Sequence, residues 1–162
     1  MNNNEISDYL NRDPDCSKML YGVYPADKIS NLRSLPALIV CNTDTSSKRG
    51  EHWIVLYIDK NRREEYFDSF GRCPFEHFKI LLDENCVEWI WNERQIQSVI
   101  SKFCGHYCIF YYLYHSRGLD VRKIVRMFTK DTGLNDSVVH NFVCKFYVLF
   151  NKILKTYIKC VC

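Results

Sequence analysis

The sequence predicts an α+β fold, a small mixed or antiparallel sheet packed against a central helix with flanking helices. Three observations predict it. Apolar runs of strand length, bounded by turn residues, occur at 36–41, 53–58 and 87–91. Residues 104–117, Cys-Gly-His-Tyr-Cys-Ile-Phe-Tyr-Tyr-Leu-Tyr-His-Ser-Arg, are apolar on nearly every side of a helix, which sends that helix through a core. The C-terminal stretch carries Phe142, Phe146, Leu149, Phe150, Ile153, Leu154 and Tyr157 at helical spacing, interrupted by Lys145, Lys152 and Lys155, as an amphipathic packing helix does.

In chain order, residues 7–11 suit a single helical turn, and the run Pro-Ala-Leu-Ile-Val-Cys at 36–41 suits a strand. A polar loop of Thr, Asp, Ser, Lys and Arg follows at 42–50. Residues 53–58 and 64–70 flank Asp59-Lys60-Asn61-Arg62-Arg63 and form a β-hairpin pattern. Residues 74–82 read as helix, with apolar Phe75, Phe78, Ile80, Leu81 and Leu82, and 87–91 alternate as a strand. The core helix stops at Gly118, in the C-cap place. Asp120 then caps a helix running to Lys130, with Val121, Ile124, Val125 and Phe128 inward and Arg122, Arg126 and Lys130 stacked outside.

A chain of 162 residues without internal repeats or a linker-like stretch makes one domain, residues 1–162. At 47% hydrophobic and 25% charged it is a folded chain, which excludes disorder and collagen-like repeats. The longest apolar run, Tyr107 to Tyr114, is far short of the roughly 18 residues a spanning helix needs, so no membrane passage is expected. The opening Met-Asn-Asn-Asn-Glu-Ile-Ser-Asp has neither a basic nor an apolar region of a secretory signal, which predicts a reducing compartment. Nine cysteines, an odd number, are then read as free thiols. The close pairs are Cys104-x3-Cys108 and Cys160-x-Cys162; without any Cys-x-x-Cys, no metal site is expected. The net charge of +3 permits a polyanionic partner without demanding one.

Among the thiols, Cys104 opens the core helix, where unpaired backbone N–H groups and the helix dipole favour a thiolate. Gly105 beside it removes a side chain where a substrate backbone would approach. The same position also suits a buried cysteine acting as a small hydrophobe, so a base decides between the two. His106 lies about 200° round the helix from Cys104 and His115 about 16 Å along it, so neither reaches the thiol. His77 falls on a surface helix and His140 at the start of the terminal one. His52 begins a hairpin strand, before Trp53, and Asp68 stands near the end of the paired strand. A two-residue loop at Asn61 and Arg62 would set Asp68 opposite Val55, facing away from His52. A three-residue loop at Lys60 to Arg62 would set it opposite Ile54, on the face of His52.

Gly50-Glu51-His52-Trp53, then Tyr66-Phe67-Asp68-Ser69-Phe70-Gly71, then Gln97 ahead of Cys104-Gly105, resemble the adenovirus protease (adenain) family in the wider group that includes the SUMO proteases. Gly22-Val23-Tyr24-Pro25-Ala26-Asp27 resembles the N-terminal region of adenain-like proteases of large DNA transposons and related viruses. The order His, Asp, Gln, Cys is the specific part. The resemblance implies that Cys104 is a nucleophile, His52 its base, Asp68 the residue orienting His52, and Gln97 a side-chain oxyanion donor beside the Cys104 N–H. It implies a cysteine endopeptidase, a monomer needing no cofactor for chemistry, that cuts precursor proteins of a virion at Gly-containing motifs in the virion, host nucleus or cytoplasm. Within the same group, removal of a ubiquitin-like protein from conjugates is the other enzyme reading; an inactive, nucleic-acid-binding virion component is the reading from another class. Cys86 stands where the family's disulfide to an activating peptide would form, beside the plainer reading of a buried strand thiol. Arg122, Arg126 and Lys130 stand as a DNA-binding stripe, beside the plainer reading of a solvated helix face.

Overall fold

The computed structural model describes residues 1–29 and 34–161, the side chains of 147 and 149–161 apart. A five-stranded mixed sheet runs β1 (Leu20–Pro25), β2 (Ala37–Asn42), β3 (Trp53–Ile58), β4 (Arg63–Phe67), β5 (Glu88–Trp91) in spatial order. The three central strands pair antiparallel, and β1 and β5 join the edges in parallel. Helices are α1 (Asn3–Arg12), α2 (Pro14–Met19), α3 (Glu76–Asn85), α4 (Cys104–His115), α5 (Val121–Arg126) and α6 (Thr132–Val161).

Every residue of β2 is buried because the strand serves two cores. Leu38 and Val40 pack with Val55, Phe67 and the α4 side chains Tyr107, Tyr111 and Tyr112. Ala37, Ile39 and Cys41 face the other way, with Ile54, Leu56 and Tyr66 against Phe78 and Leu82 of α3. A strand covered on both faces has no polar side, hence the continuous apolar run. On α4, buried residues occur all round the helix, as its composition predicts. Its ring hydroxyls are paired within the core, Tyr111 to Glu65 Oε2 at 2.7 Å and Tyr112 to the Leu38 carbonyl at 3.3 Å. Past the helix end, Gly118 takes φ +88°, and its N–H donates to the His115 carbonyl.

Several elements differ from the sequence reading. The N-terminal turn is a full helix, held by a reciprocal cap in which Glu5 N–H donates to Asn2 Oδ1 and Asn2 N–H to Glu5 Oε2. The reading missed α2, although Asp13 caps it directly before Pro14, and β1, whose half-buried residues and bulge between Leu20 and Gly22 blur the strand period. Helix α3 begins two residues later than expected and leaves Phe75 and Ile80 exposed. Helix α5 stops at Arg126, with Met127 as its cap, so Lys130 lies off the helix and the continuous Arg122, Arg126, Lys130 stripe is not formed. Phe142 and Phe146 pack on the core as expected. The packing predicted for Leu149, Phe150, Ile153, Leu154 and Tyr157 lies outside the described residues.

Candidate active site

The hairpin decides where His52 and Asp68 meet. Asp59 N–H donates to the Arg63 carbonyl and Arg62 adopts φ +59°, a three-residue loop with a left-handed residue before the strand resumes. Asp59 Oδ1 accepts from the N–H groups of Asn61 and Arg63, which fixes the turn. The strands pair Val55 with Phe67 and Leu56 with Tyr66. One step further in that register, Asp68 stands opposite Ile54, on the face of His52. His52 Nε2 lies 2.7 Å from Asp68 Oδ1, both side chains buried.

Asp68 is fully buried and held from several sides. Its Oδ1 also accepts the Phe70 N–H at 2.8 Å. Asn92, just past β5, clamps its backbone: the Asp68 N–H donates to Asn92 Oδ1 at 2.9 Å, and Asn92 Nδ2 donates to the Asp68 carbonyl at 2.6 Å. The Phe70 ring covers His52 at 4.8 Å between centroids, and the Arg72 guanidinium carbon lies 4.8 Å from the centroid of the Phe70 ring. Gly71 takes φ +67°, and a Cβ there would come within 2.6 Å of the Arg94 carbonyl carbon and 2.7 Å of Gln95 N. Only glycine lets the turn after Asp68 approach the 94–97 segment so closely.

That segment carries Gln97, whose N–H and that of Ile96 donate to the Ser69 carbonyl. Ser69 Oγ donates to Gln97 Oε1 at 2.6 Å, so the amide N–H₂ end is directed the other way, to Ser101 O at 3.2 Å and Ser101 Oγ at 3.0 Å. The Gln97 donor end thus lies toward the stretch that leads into Cys104. Gln95 instead donates to the Gln97 carbonyl. From the far side α6 pins the same segment, with Asn135 Nδ2 donating to the Ile96 carbonyl at 3.0 Å.

Cys104 is the first residue of α4, nine-tenths covered. Burial works against its thiolate, but the neighbouring imidazole of His52 and its charge, with the backbone N–H groups of Trp53 and Gly105, outweigh it and bring the thiol below its ordinary range. Burial likewise works against a charged His52, and Asp68 and Cys104 outweigh it, raising the imidazole to about 9. Asp68 occupies Nε2, and among the described residues Nδ1 is buried with no hydrogen-bond partner, which leaves that nitrogen open to the thiol. The pair is therefore arranged to store the proton on the ring and the negative charge on sulfur. The other core thiols are the reverse: burial pushes Cys108 and Cys41 well above the ordinary thiol range. Trp53 is core packing, its indole N–H donating to the Met1 carbonyl at 3.3 Å. Met1 also packs over Gly105, its sulfur 3.2 Å from where a Cβ would stand. A cavity of about 240 Å³ opens beside Trp53 and Gly50, bordered by Asn42, Asp44, Lys48 and Met1.

The structure thus brings His52, Asp68 and Cys104 together and sets Gln97 in the adjoining loop; His77 is exposed on α3, and His115 pairs with Glu65 at 3.4 Å. Sequence reasoning missed Asn92 and the hydroxyls of Ser69 and Ser101. Ser69 lies inside the Asp68-Ser69-Phe70-Gly71 motif, whereas nothing in the local sequence marks Asn92. Cys86 is not a strand thiol but the C-cap of α3, half-buried, its Sγ donating to Glu64 Oε2 at 2.9 Å; burial and the Glu64 charge push its thiol up. Arg122 and Arg126 are exposed, and Arg122 borders a groove carrying Asp59, Glu64, Glu65 and Glu88.

By sequence, no protein-family model matches the chain and no curated protein aligns with it. By structure it is similar to the ASFV pS273R protease, with TM-score 0.58 and 16% identity over 86% of this chain and 66% of that one. It is similar to ChlaDub1 from Chlamydia trachomatis, with TM-score 0.54 and 16% identity over 70% of this chain and 61% of that one. The chain shares the fold of these two proteins. The chain spans less than two thirds of ChlaDub1 and 66% of the ASFV protease. SUMO protease Ulp1 also aligns, over 90% of this chain and 78% of its own, with 15% identity and TM-score 0.43. In this fold α4 and the β3–β4 hairpin meet at His52 and Cys104, which agrees with the predicted α+β class.

Proposed function

We propose that this chain is a cysteine endopeptidase of adenain type that hydrolyses precursor proteins of a virion at Gly-containing sites. The observation that carries the reading is the buried His52–Asp68 pair set against the lowered thiol of Cys104 at a helix N-terminus. In the proposed reaction the Cys104 thiolate attacks a peptide carbonyl, and the His52 imidazolium then donates its proton to the leaving amine. The oxyanion is met by the Cys104 backbone N–H, one of the donors that the first turn of a helix leaves free, and by the Gln97 amide after it turns from Ser101. Water activated by neutral His52 hydrolyses the thioester. Asp68 holds the ring in the orientation that serves both steps and stabilises its charge.

Met1 packs over Gly105, beside Cys104, and narrows the approach to the thiol, which favours a small residue next to the scissile bond. The reading requires neither a peptide linked at Cys86 nor DNA. Its test is incubation of the isolated chain with a panel of Gly-containing peptides and with a ubiquitin-like C-terminal probe that traps a reactive cysteine. Peptide turnover that disappears in Cys104→Ala supports the endopeptidase. Labelling of Cys104 by the probe without peptide turnover moves the function to deconjugation of ubiquitin-like proteins, and the absence of both turnover and labelling overturns both readings.

A further inference from the structure

On the side of α4 turned away from the catalytic pair, His106 meets His140 and Cys144 of α6, and one ligand-capable atom from each lies within 4.8 Å of the others. His140 and Cys144 are neighbours on one helix face by their four-residue spacing, with Sγ 3.8 Å from Nε2 and 3.9 Å from Nδ1 of the ring. Two imidazole nitrogens and a thiolate sulfur around tetrahedral zinc stand roughly 3.3–3.6 Å apart, given bonds of about 2.0 and 2.3 Å. The Cys144–His140 pair is already close to that spacing, and the widest gap in the cluster, at most 4.8 Å, closes by about 1 Å when the three share an ion.

Two further features single the cluster out. Among the described residues His106 Nδ1 is buried without a hydrogen-bond partner, and a buried ring nitrogen left unpaired inside a polar cluster needs an explanation. Phe103 stacks on His140 with centroids 4.9 Å apart and meets His106 edge-on at 5.2 Å, so one aromatic ring walls the cluster and orients both imidazoles. We propose that His106, His140 and Cys144 form a binding site for a zinc-class divalent cation that ties α6 to the first turn of α4, two residues from Cys104.

On binding, the Cys144 Sγ–H proton goes to solvent and a metal–sulfur bond forms. The two imidazoles give nitrogen lone pairs in place of two water ligands, and water keeps the fourth position. Thiolate with imidazole selects zinc over calcium or magnesium, which prefer oxygen. The ligands come from two helices far apart in sequence, so no Cys-x-x-Cys spacing announces them.

The test is titration of the reduced full chain with cobalt(II), which reports thiolate ligation as a charge-transfer band and tetrahedral geometry as intense d–d bands, followed by displacement with zinc. The wild type and Cys104→Ala should both show the bands at one equivalent of metal, and Cys144→Ala and His140→Gln should both lose them while keeping the wild-type circular dichroism. Zinc should raise the melting temperature of the wild type and of Cys104→Ala but not of Cys144→Ala. Bands that survive in Cys144→Ala and vanish in Cys104→Ala would assign the metal to the catalytic thiol and overturn the proposal, as would the absence of a thiolate band in the wild type.

Discussion

His52 Nε2 and Asp68 Oδ1 stand 2.7 Å apart across the end of a hairpin, one register step beyond the last pair, Val55 and Phe67. The contact exists because the β3–β4 loop has an odd number of residues. A deletion of Asn61 that shortened the loop to two would shift the pairing by one and turn Asp68 to the opposite face from His52. Such a variant should lose turnover by about as much as removal of the carboxylate, on the order of 10²-fold, in a peptide-cleavage assay.

Removal of the base should cost more than removal of its partner. His52→Ala should lower turnover by about 10⁴-fold and Asp68→Asn by about 10²-fold, the two ends of the usual range for general acid–base catalysis. The ordering follows because the thiol–imidazole pair can form without the carboxylate, which orients and stabilises it. Near-normal kcat in His52→Ala, with loss in His77→Ala, would show that the base had been misassigned.

Alkylation mapped by mass spectrometry at pH 6 should find Cys104 modified faster than Cys16, Cys41, Cys86 and Cys108, all of which burial pushes upward. Its rate should hold across neutral pH and change character near pH 9, where His52 loses its proton. The sign for stability is the same. A histidine raised from 6.5 to about 9 stabilises the fold fully below 6.5 and loses that contribution as pH rises through 9. The melting temperature of wild type relative to His52→Gln should therefore fall between those values; a flat difference would contradict the shift.

Asn92→Ala should act as a positioning defect. It strands the buried N–H and carbonyl of Asp68, at a cost of about 1–3 kcal/mol in denaturant unfolding. Because Asp68 then holds His52 less firmly, kcat should fall with KM nearly unchanged, and the upper limb of the pH–rate profile should move down from about 9. An unchanged profile with the same loss of stability would make Asn92 purely structural.

Turnover by the isolated chain should be the same with or without double-stranded DNA, at low and high salt, and with or without dithiothreitol. Cys86 gives its proton to a hydrogen bond with Glu64 rather than to exchange, and Arg122 borders an acidic groove. DNA stimulation that fades steeply with salt would restore the basic surface as a phosphate site, and loss of activity with reductant would restore a disulfide at Cys86.

The sequence by itself determined the elements whose pattern is local. The all-round apolar stretch became α4, the Asp59 to Arg63 turn joined two strands, and Cys104 stood at a helix start, while α4 ended at His115 with Ser116 as its cap, ahead of the turn at Gly118. It also placed His52, Asp68, Gln97 and Cys104 in an order that is itself informative. What only the tertiary structure decided depended on contacts between distant segments. The parity of the hairpin loop left two registers open until backbone pairing chose one. The parallel edge strand β1, half-buried throughout and bulged between Leu20 and Gly22, has no alternating face to read. Asn92 clamps Asp68 from just past β5, and Ser69 and Ser101 turn the Gln97 amide, through hydrogen bonds that leave no periodic trace in sequence. The basic stripe failed for the converse reason: helical spacing was extrapolated to Lys130, but α5 ended at Arg126 where the chain turns toward α6. Periodicity reports which face of an element is buried, and long-range pairing alone reports what that face meets.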